Sequence, residues 1–197
     1  ARYAALADER EEACRATKVA GTQSEARLDL RVACLDRISS RLFATTRALQ
    51  TVGPEGIEHA SSAVEALPEP TMCRGDGLET GMEPPANVRA AGRIERLRRS
   101  ADGVWALLGL GSSVAADAAL TELLRDSEGV EYDPWRAELA HLRGETERAL
   151  GNYEPAAEHL LRAADLAEGS RHDRLAAEVW VARTRLAYDE VFANQLA

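Results

Sequence analysis

Two short segments, Gly111-Ser112-Ser113-Val114-Ala115-Ala116 and Gly151-Asn152-Tyr153-Glu154-Pro155-Ala156, stand forty residues apart and share one layout. After each glycine comes a small residue (Ala116, Ala156), then a leucine (Leu120, Leu160), then a further core-type residue (Leu123, Ala163). A fixed period of this size marks stacked helical hairpins, because a single hairpin cannot bury its apolar face alone. Scaffolds of that kind offer surfaces to other proteins or peptides, so the spacing predicts an interaction module rather than an active site.

The rest of the chain agrees with a helical reading. Ala, Leu, Arg and Glu dominate and aromatics make up 5% of the 197 residues, a composition that favours helices. The length allows one domain, or two small ones, with a sizeable shared core. A net charge of -9 leaves no surplus for neutralising phosphates and argues against nucleic acid as the partner. The basic run Arg93-Ile94-Glu95-Arg96-Leu97-Arg98-Arg99 reads as a solvated helix face. No stretch approaches the apolar length of a membrane span. The chain starts in a charged helical pattern without a signal peptide and ends within the apolar-periodic segment Val179–Leu196, which predicts a piece of a longer protein.

Along the chain, Tyr3–Thr17 reads as a helix ended by Lys18 and Gly21. Thr22-Gln23-Ser24-Glu25 reads as a capping box opening a long helix. Leu28, Leu35, Leu42 and Leu49 recur every seven residues there, with Val32 and Ile38 beside them. That seam is either coiled-coil-like or, the reading preferred over so few heptads, the buried stripe of a bundle helix. Pro54 opens a shorter helix with Ile57, Ala60, Val64 and Leu67, closed by Pro68 and Pro70. The organisation predicted is an N-terminal helical segment over 1–70 with three helices, a Gly/Pro-rich loop over 71–85, and helical repeats over 86–197 of which the last is incomplete. The repeat helices fall near 86–109, 112–128, 134–150, 153–168 and 173–195, with Asp133-Pro134 as a cap-then-proline start. No strand pattern appears, so the fold class is all-α.

Gly144, followed by Gly151-Asn152-Tyr153 and then Ala156, Leu160 and Ala163, resembles the tetratricopeptide repeat. The resemblance implies an α-solenoid of antiparallel helix pairs, with Gly144 allowing close helix approach and small residues lining the second helix. In this register Leu97, Ala137 and Ala177 begin successive repeats, and Trp180 takes a position often held by a large aromatic. Val104 and Thr184 replace the first-helix glycine in the flanking repeats, Arg143 and Glu147 stand where the family is usually apolar, and the period is forty rather than thirty-four. A second resemblance lies in Ala13-Cys14-Arg15-Ala16-Thr17, Gly21-Thr22-Gln23-Ser24 and Asp29-Leu30-Arg31-Val32-Ala33-Cys34-Leu35-Asp36-Arg37. These are similar to a segment of large bacterial, myxobacterial-type serine/threonine protein kinases. In those proteins the segment follows the kinase domain, usually after a membrane-spanning helix, and precedes tetratricopeptide repeats. The resemblance therefore implies a non-catalytic sensor or scaffold region, extracytoplasmic if that architecture holds and cytoplasmic otherwise.

Nothing in the chain itself carries kinase chemistry. Lys18 is the single lysine, His-Arg-Asp and Asp-Phe-Gly are absent, and Gly109-Leu110-Gly111 lacks a third glycine and a preceding strand. His59, His141, His159 and His172 show no metal-ligand spacing, so neither metal nor cofactor is expected. Cys14, Cys34 and Cys73 leave two readings open. One is a Cys14–Cys34 bridge between helices adjacent in sequence; the other is three buried thiols. In a tight hairpin at Gly21, Cys34 would overshoot Cys14 by roughly 9 Å at about 1.5 Å per residue. A bridge, which needs Cα atoms within about 7 Å, would then require the connection to climb along the second helix.

In tetratricopeptide arrays the first helices line a concave groove. The register makes Arg98, Trp105, Glu138, His141, Glu145, Arg148, Glu178, Arg185 and Tyr188 the partner-binding candidates, with Trp105 and Trp180 also read as core. The repeat-structural set is Gly111, Ala116, Leu120, Gly144, Gly151, Tyr153, Ala156, Leu160, Ala163 and Trp180. The expected partner is a protein or extended peptide. Two alternatives are self-association into a homo-oligomer through an exposed apolar face near Val179 and Leu186, and the sensory half of a repeat-containing transcriptional regulator.

Overall fold

A computed structural model describes residues 2–74 and 84–196. Among these the chain is helical throughout, without a strand: α1 (Arg2–Lys18), α2 (Glu25–Leu49), α3 (Pro54–Glu58), α4 (Ala60–Glu65), a 3₁₀ turn (Pro70–Arg74), α5 (Val88–Gly109), α6 (Ser113–Asp126), α7 (Asp133–Ala149), α8 (Tyr153–Gly169) and α9 (Asp173–Leu196). Gly75, Gly77 and Gly81 of the Gly/Pro-rich segment lie outside the described residues.

From α5 onward each helix packs on its successor, and α7 also touches α5 and α9. Small residues make this packing close. Ala156, Leu160 and Ala163 of α8 and Ala137 of α7 are fully buried, as are Ala116, Leu120 and Leu123 of α6. A Cβ on Gly144 would fall 2.7 Å from Leu160 Cγ and 3.2 Å from the Leu160 backbone nitrogen, so α7 and α8 approach as they do only because that position is glycine. Trp135, which no repeat register singled out, fills the α5–α6–α7 core at 1% exposure.

The turns repeat in geometry as well as in sequence. Ser112 N–H donates to Leu107 C=O, Asn152 N–H to Glu147 C=O and His172 N–H to Ala167 C=O, each across one left-handed residue. That six-to-one closure is the Schellman arrangement. The left-handed residues are Gly111 (φ 70°), Gly151 (φ 82°) and Arg171 (φ 56°). The third break, expected at Gly169-Ser170, thus uses an arginine two residues later.

The N-terminal half is assembled differently. The buried stripe of α2 is Arg31, Leu35, Ile38, Leu42, Thr45 and Ala48, so the heptad leucines serve as a bundle stripe and Val32 faces outward. The α2 cap is Ser24, whose hydroxyl accepts from Arg27 N–H at 3.2 Å; Thr22 instead donates back to Ala16 C=O and closes α1. The helix expected from Pro54 breaks at His59 into α3 and α4, Ile57 is exposed, and Ala63 carries the packing. Asp133 is the first residue of α7, and the capping position is Tyr132.

The disulfide joins Cys34 to Cys73 with Cα atoms 5.8 Å apart, and Cys14 is a free, exposed thiol; the Cys14–Cys34 pairing is therefore corrected. The reason is the overshoot of the α1–α2 hairpin: Cys14 points outward, while the 3₁₀ turn folds back onto α1 and α2 and brings Cys73 into their core. Pro70–Arg74 accordingly belongs to the N-terminal bundle, which extends past the expected boundary at residue 70. Arg31 reinforces the same core by pairing with Glu9 and Glu12, and Arg74 Nη2 reaches Glu9 Oε1 at 2.5 Å. The two halves meet where α2 and α4 pack on α5 through Ala48, Ala63, Ala106 and Leu110.

Candidate functional site

Because α2 lies against α5, it forms one wall of a groove whose other walls are α5, α7 and the start of α9. The groove encloses about 560 Å³. Leu30, Ala33, Arg37, Ile38 and Arg41 line it from α2; Glu95, Arg98, Ala101 and Trp105 from α5; Glu138 and His141 from α7; His172, Arg174, Leu175 and Glu178 from the α9 end. A smaller cavity of about 280 Å³ adjoins it, sharing Arg41, Pro68 and Trp105 and adding Asp102, Glu145, Arg148 and Arg185.

Arg98, Trp105, Glu138, His141 and Glu178 therefore line the larger space, and Glu145, Arg148 and Arg185 the smaller. Tyr188 is 70% exposed and borders neither. Trp180, read as core, is 48% exposed, with its indole N–H on Glu168 and Arg183 stacked over its ring. The core positions of α9 are Leu175, Val179, Ala182 and Leu186. Val179 and Leu186 are buried against α8, which removes the exposed apolar face expected there. Ala177 faces outward although Leu97 and Ala137 are buried, because α9 turns Leu175 and Val179 inward instead.

Electrostatically the groove is organised around Glu138. Arg98 donates Nε to both Glu138 oxygens at 3.0 and 3.1 Å and Nη2 to Oε1 at 2.5 Å, a two-pronged pairing. Arg37 lies 3.7 Å from Glu138 and His172 Nε2 likewise. Burial alone would push the Glu138 carboxyl up, but His172, Arg98 and Arg37 together hold it at about 2. Burial pushes His141 down, so the ring is neutral where it meets Trp105, centroids 5.2 Å apart. Of the basic run, Arg93, Arg96 and Arg99 are exposed, with Arg93 capping the end of α6 on the carbonyls of Asp126 and Glu128, while Arg98 serves Glu138 and Glu95 in the groove.

Arg148 is also committed within the chain. It donates to Glu145 and to Asp189 at 2.8 Å, joining α7 to α9. A change to glutamate would set three carboxylates together at the α7–α9 contact.

The α2 wall and Asp102 escaped the repeat register. Asp102 does carry a sequence signal: it stands four residues after Arg98 and three before Trp105, the spacing of one helix face. The α2 wall carries none, because repeat spacing says nothing of a helix outside the repeats.

Among the described residues no group of three His, Cys, Asp or Glu side chains is placed to hold a metal ion, and no helix is long and apolar enough to cross a membrane. Comparison of the chain with protein-family models, with curated proteins and with solved structures finds no match in any of the three.

Proposed function

We propose that this chain is a non-catalytic binding scaffold that takes a protein segment or extended peptide in the groove between α2 and helices α5, α7 and α9. The observation that carries the reading is the convergence of Arg98, Trp105, Glu138, His141 and Glu178 on one space of about 560 Å³ that charged and apolar side chains line together. Such a surface offers donors and acceptors for a peptide backbone and alternating pockets for its side chains. The matching turns at Gly111 and Gly151, and the packing of each helix on the next, support an α-solenoid of tetratricopeptide type for residues 86–197. Residues 13–37 support a bacterial serine/threonine kinase parent in which this region senses or recruits a partner.

The test is a peptide array or display selection against the full chain, followed by titration of the selected peptides. Glu178→Lys alters a groove-facing charge that pairs with its helical neighbour Arg174. It is expected to weaken selected peptides at least tenfold while helicity and melting stay unchanged. Selection of no peptide, or peptides indifferent to Glu178→Lys and to a groove-wall change such as Arg37→Glu, overturns the proposal.

A further inference from the structure

Along α5, Arg89, Gly92, Arg96, Arg99 and Gly103 follow one another at alternating spacings of three and four residues, which places them on a single helix face. The arginines are exposed, and among the described residues none of them makes a salt bridge or a side-chain hydrogen bond. They stand against the sign of a chain whose net charge is -9. The glycines between them carry a second signal. Glycine inside a helix weakens it relative to alanine, and what it offers in return is close approach of another body. Gly144 is explained from within the chain, because its Cβ would collide with Leu160. A Cβ at Gly103 would meet nothing within 4 Å, and one at Gly92 only the tip of Arg96 at 3.7 Å. The close approach that these two glycines allow is therefore open to something outside the chain.

The chain itself carries the matching surface. Glu154, Glu158, Leu161, Asp165 and Glu168 recur on α8 at alternating spacings of four and three, again one helix face. All are exposed, Leu161 at 47%. Among the described residues Glu154, Glu158 and Asp165 make no salt bridge or side-chain hydrogen bond, and Glu168 accepts from the Trp180 indole N–H at 2.9 Å. The two stripes have the same length, roughly 21 Å at about 1.5 Å per residue. Within one chain they point away from each other's neighbours: α5 packs on α2, α4, α6 and α7, and α8 on α7 and α9.

We infer that α5 of one copy of this chain docks against α8 of a second copy, with Arg89, Arg96 and Arg99 facing the Glu154, Glu158 and Asp165 row and Gly92 and Gly103 letting the helices close. A single exposed ion pair contributes little, but a row of like charges against a row of opposite ones selects the partner and speeds its capture. The contact joins two different surfaces, so it is head-to-tail, and each added copy leaves a stripe open unless a ring closes. It replaces the apolar contact expected near Val179 and Leu186, which are buried. It is also separate from peptide capture, because α5 meets the larger groove through Glu95, Arg98, Ala101 and Trp105 instead.

The test is sedimentation of the full chain over a concentration series. At low salt the mass should rise with concentration above the 21.3 kDa of one copy. It should return to that value in about 1 M salt, where charges are screened beyond about 3 Å. Arg96→Glu with Arg99→Glu should weaken association at least tenfold, and Glu158→Arg with Asp165→Arg should do the same. All four positions are exposed, so helicity and melting should not change. The decisive step is to mix the two double variants: one then carries two acidic stripes and the other two basic ones, and association should return to within a few-fold of the native chain. Gly103→Gln should block association while raising the melting temperature. A single copy at every concentration, association that survives both reversals, or variants that separate and do not recombine overturns the inference. So does a chain that stays single and instead binds phosphatidylserine vesicles or duplex DNA through Arg96 and Arg99. Sedimentation is read without any peptide, and peptide selection works on a single copy, so the two readings fail separately.

Discussion

The two halves of this molecule reach the same kind of structure by different means. From α5 to α9 cohesion is local: glycine and alanine at Gly144, Ala137, Ala156 and Ala163 let adjacent helices close on one another. From α1 to the 3₁₀ turn it is long-range, with Cys34 bonded to Cys73 across thirty-nine residues and Glu9 shared by Arg31 and Arg74. Small residues at a helix interface need only correct spacing. A short bundle with broken helices α3 and α4 has less core to rely on, and a cross-link compensates by restricting the unfolded chain.

The sharpest way to break that contrast is to remove the cross-link. Replacing Cys34 and Cys73 together by serine should lower stability by about 3–4 kcal/mol, the range for a loop of this size. The loss should be uneven: hydrogen exchange in α1 and the start of α2 should rise strongly while α7 and α8 stay protected. An equal rise in both halves would show that they unfold as one unit and that the contrast is only architectural.

Glu138 links the halves, since Arg37 of α2 and Arg98 of α5 both address it. Glu138→Gln leaves Arg98, partly buried, without its two-pronged counter-charge and with Glu95 alone beside it, and should cost about 3 kcal/mol in chemical denaturation. The pH dependence gives an independent check. The folded carboxyl titrates near 2 against an ordinary value of 4.5. Its stabilisation is therefore complete above the unfolded value and is lost as pH falls from there towards 2. Neutral, buried His141 acts in the same direction from about pH 6.5 downward, because the unfolded ring gains a proton more readily. Asp102, with its carboxyl raised by burial, acts in the opposite direction. The substitution should flatten the profile below pH 4.5 and leave the His141 limb intact; an unchanged acid limb would assign it to other carboxylates.

Within the C-terminal half, Gly144→Ala tests whether close approach holds α7 on α8. Alanine would gain about 1 kcal/mol of helix propensity, yet its Cβ collides with fully buried Leu160. Overpacking of that kind costs about 1–3 kcal/mol, so a net loss of up to about 2 kcal/mol is expected from thermal melts. A stabilised variant would mean that Leu160 swings aside and that the glycine is incidental.

These contrasts also explain what the sequence revealed. The all-helical class, the helix positions from residue 88 onward and the buried set Ala116, Leu120, Ala156, Leu160 and Ala163 followed from spacing, because helix interfaces repeat with the chain. Eight of the nine proposed groove residues line the two cavities for the same reason. The partner of Cys34 did not follow, since a 3₁₀ turn after two prolines has no period to reveal where it folds. Nor did the α2 wall, whose place depends on the α2–α5 contact through Ala48 and Ala106. Trp180 stands at a position that reads as inward from its spacing, but α9 buries the residue before it, Val179.

The smallest expected effect isolates the backbone from every other cause. Gly151 and Arg171 occupy equivalent positions in two six-to-one turns, both with positive φ and with the same hydrogen bond closing the helix. A Cβ at Gly151 meets nothing within 4 Å, and Arg171 is exposed, so neither position carries a packing term. What remains is the strain of an L-residue in the left-handed region, about 1 kcal/mol. Gly151→Ala should therefore cost about 1 kcal/mol, while Arg171→Gly should gain somewhat less than that, because glycine also loosens the unfolded chain. Paired denaturation curves moving in opposite directions would establish that the two turns are interchangeable. A loss at both positions would instead show that the Arg171 side chain holds the α8–α9 junction, making that turn a specialised one.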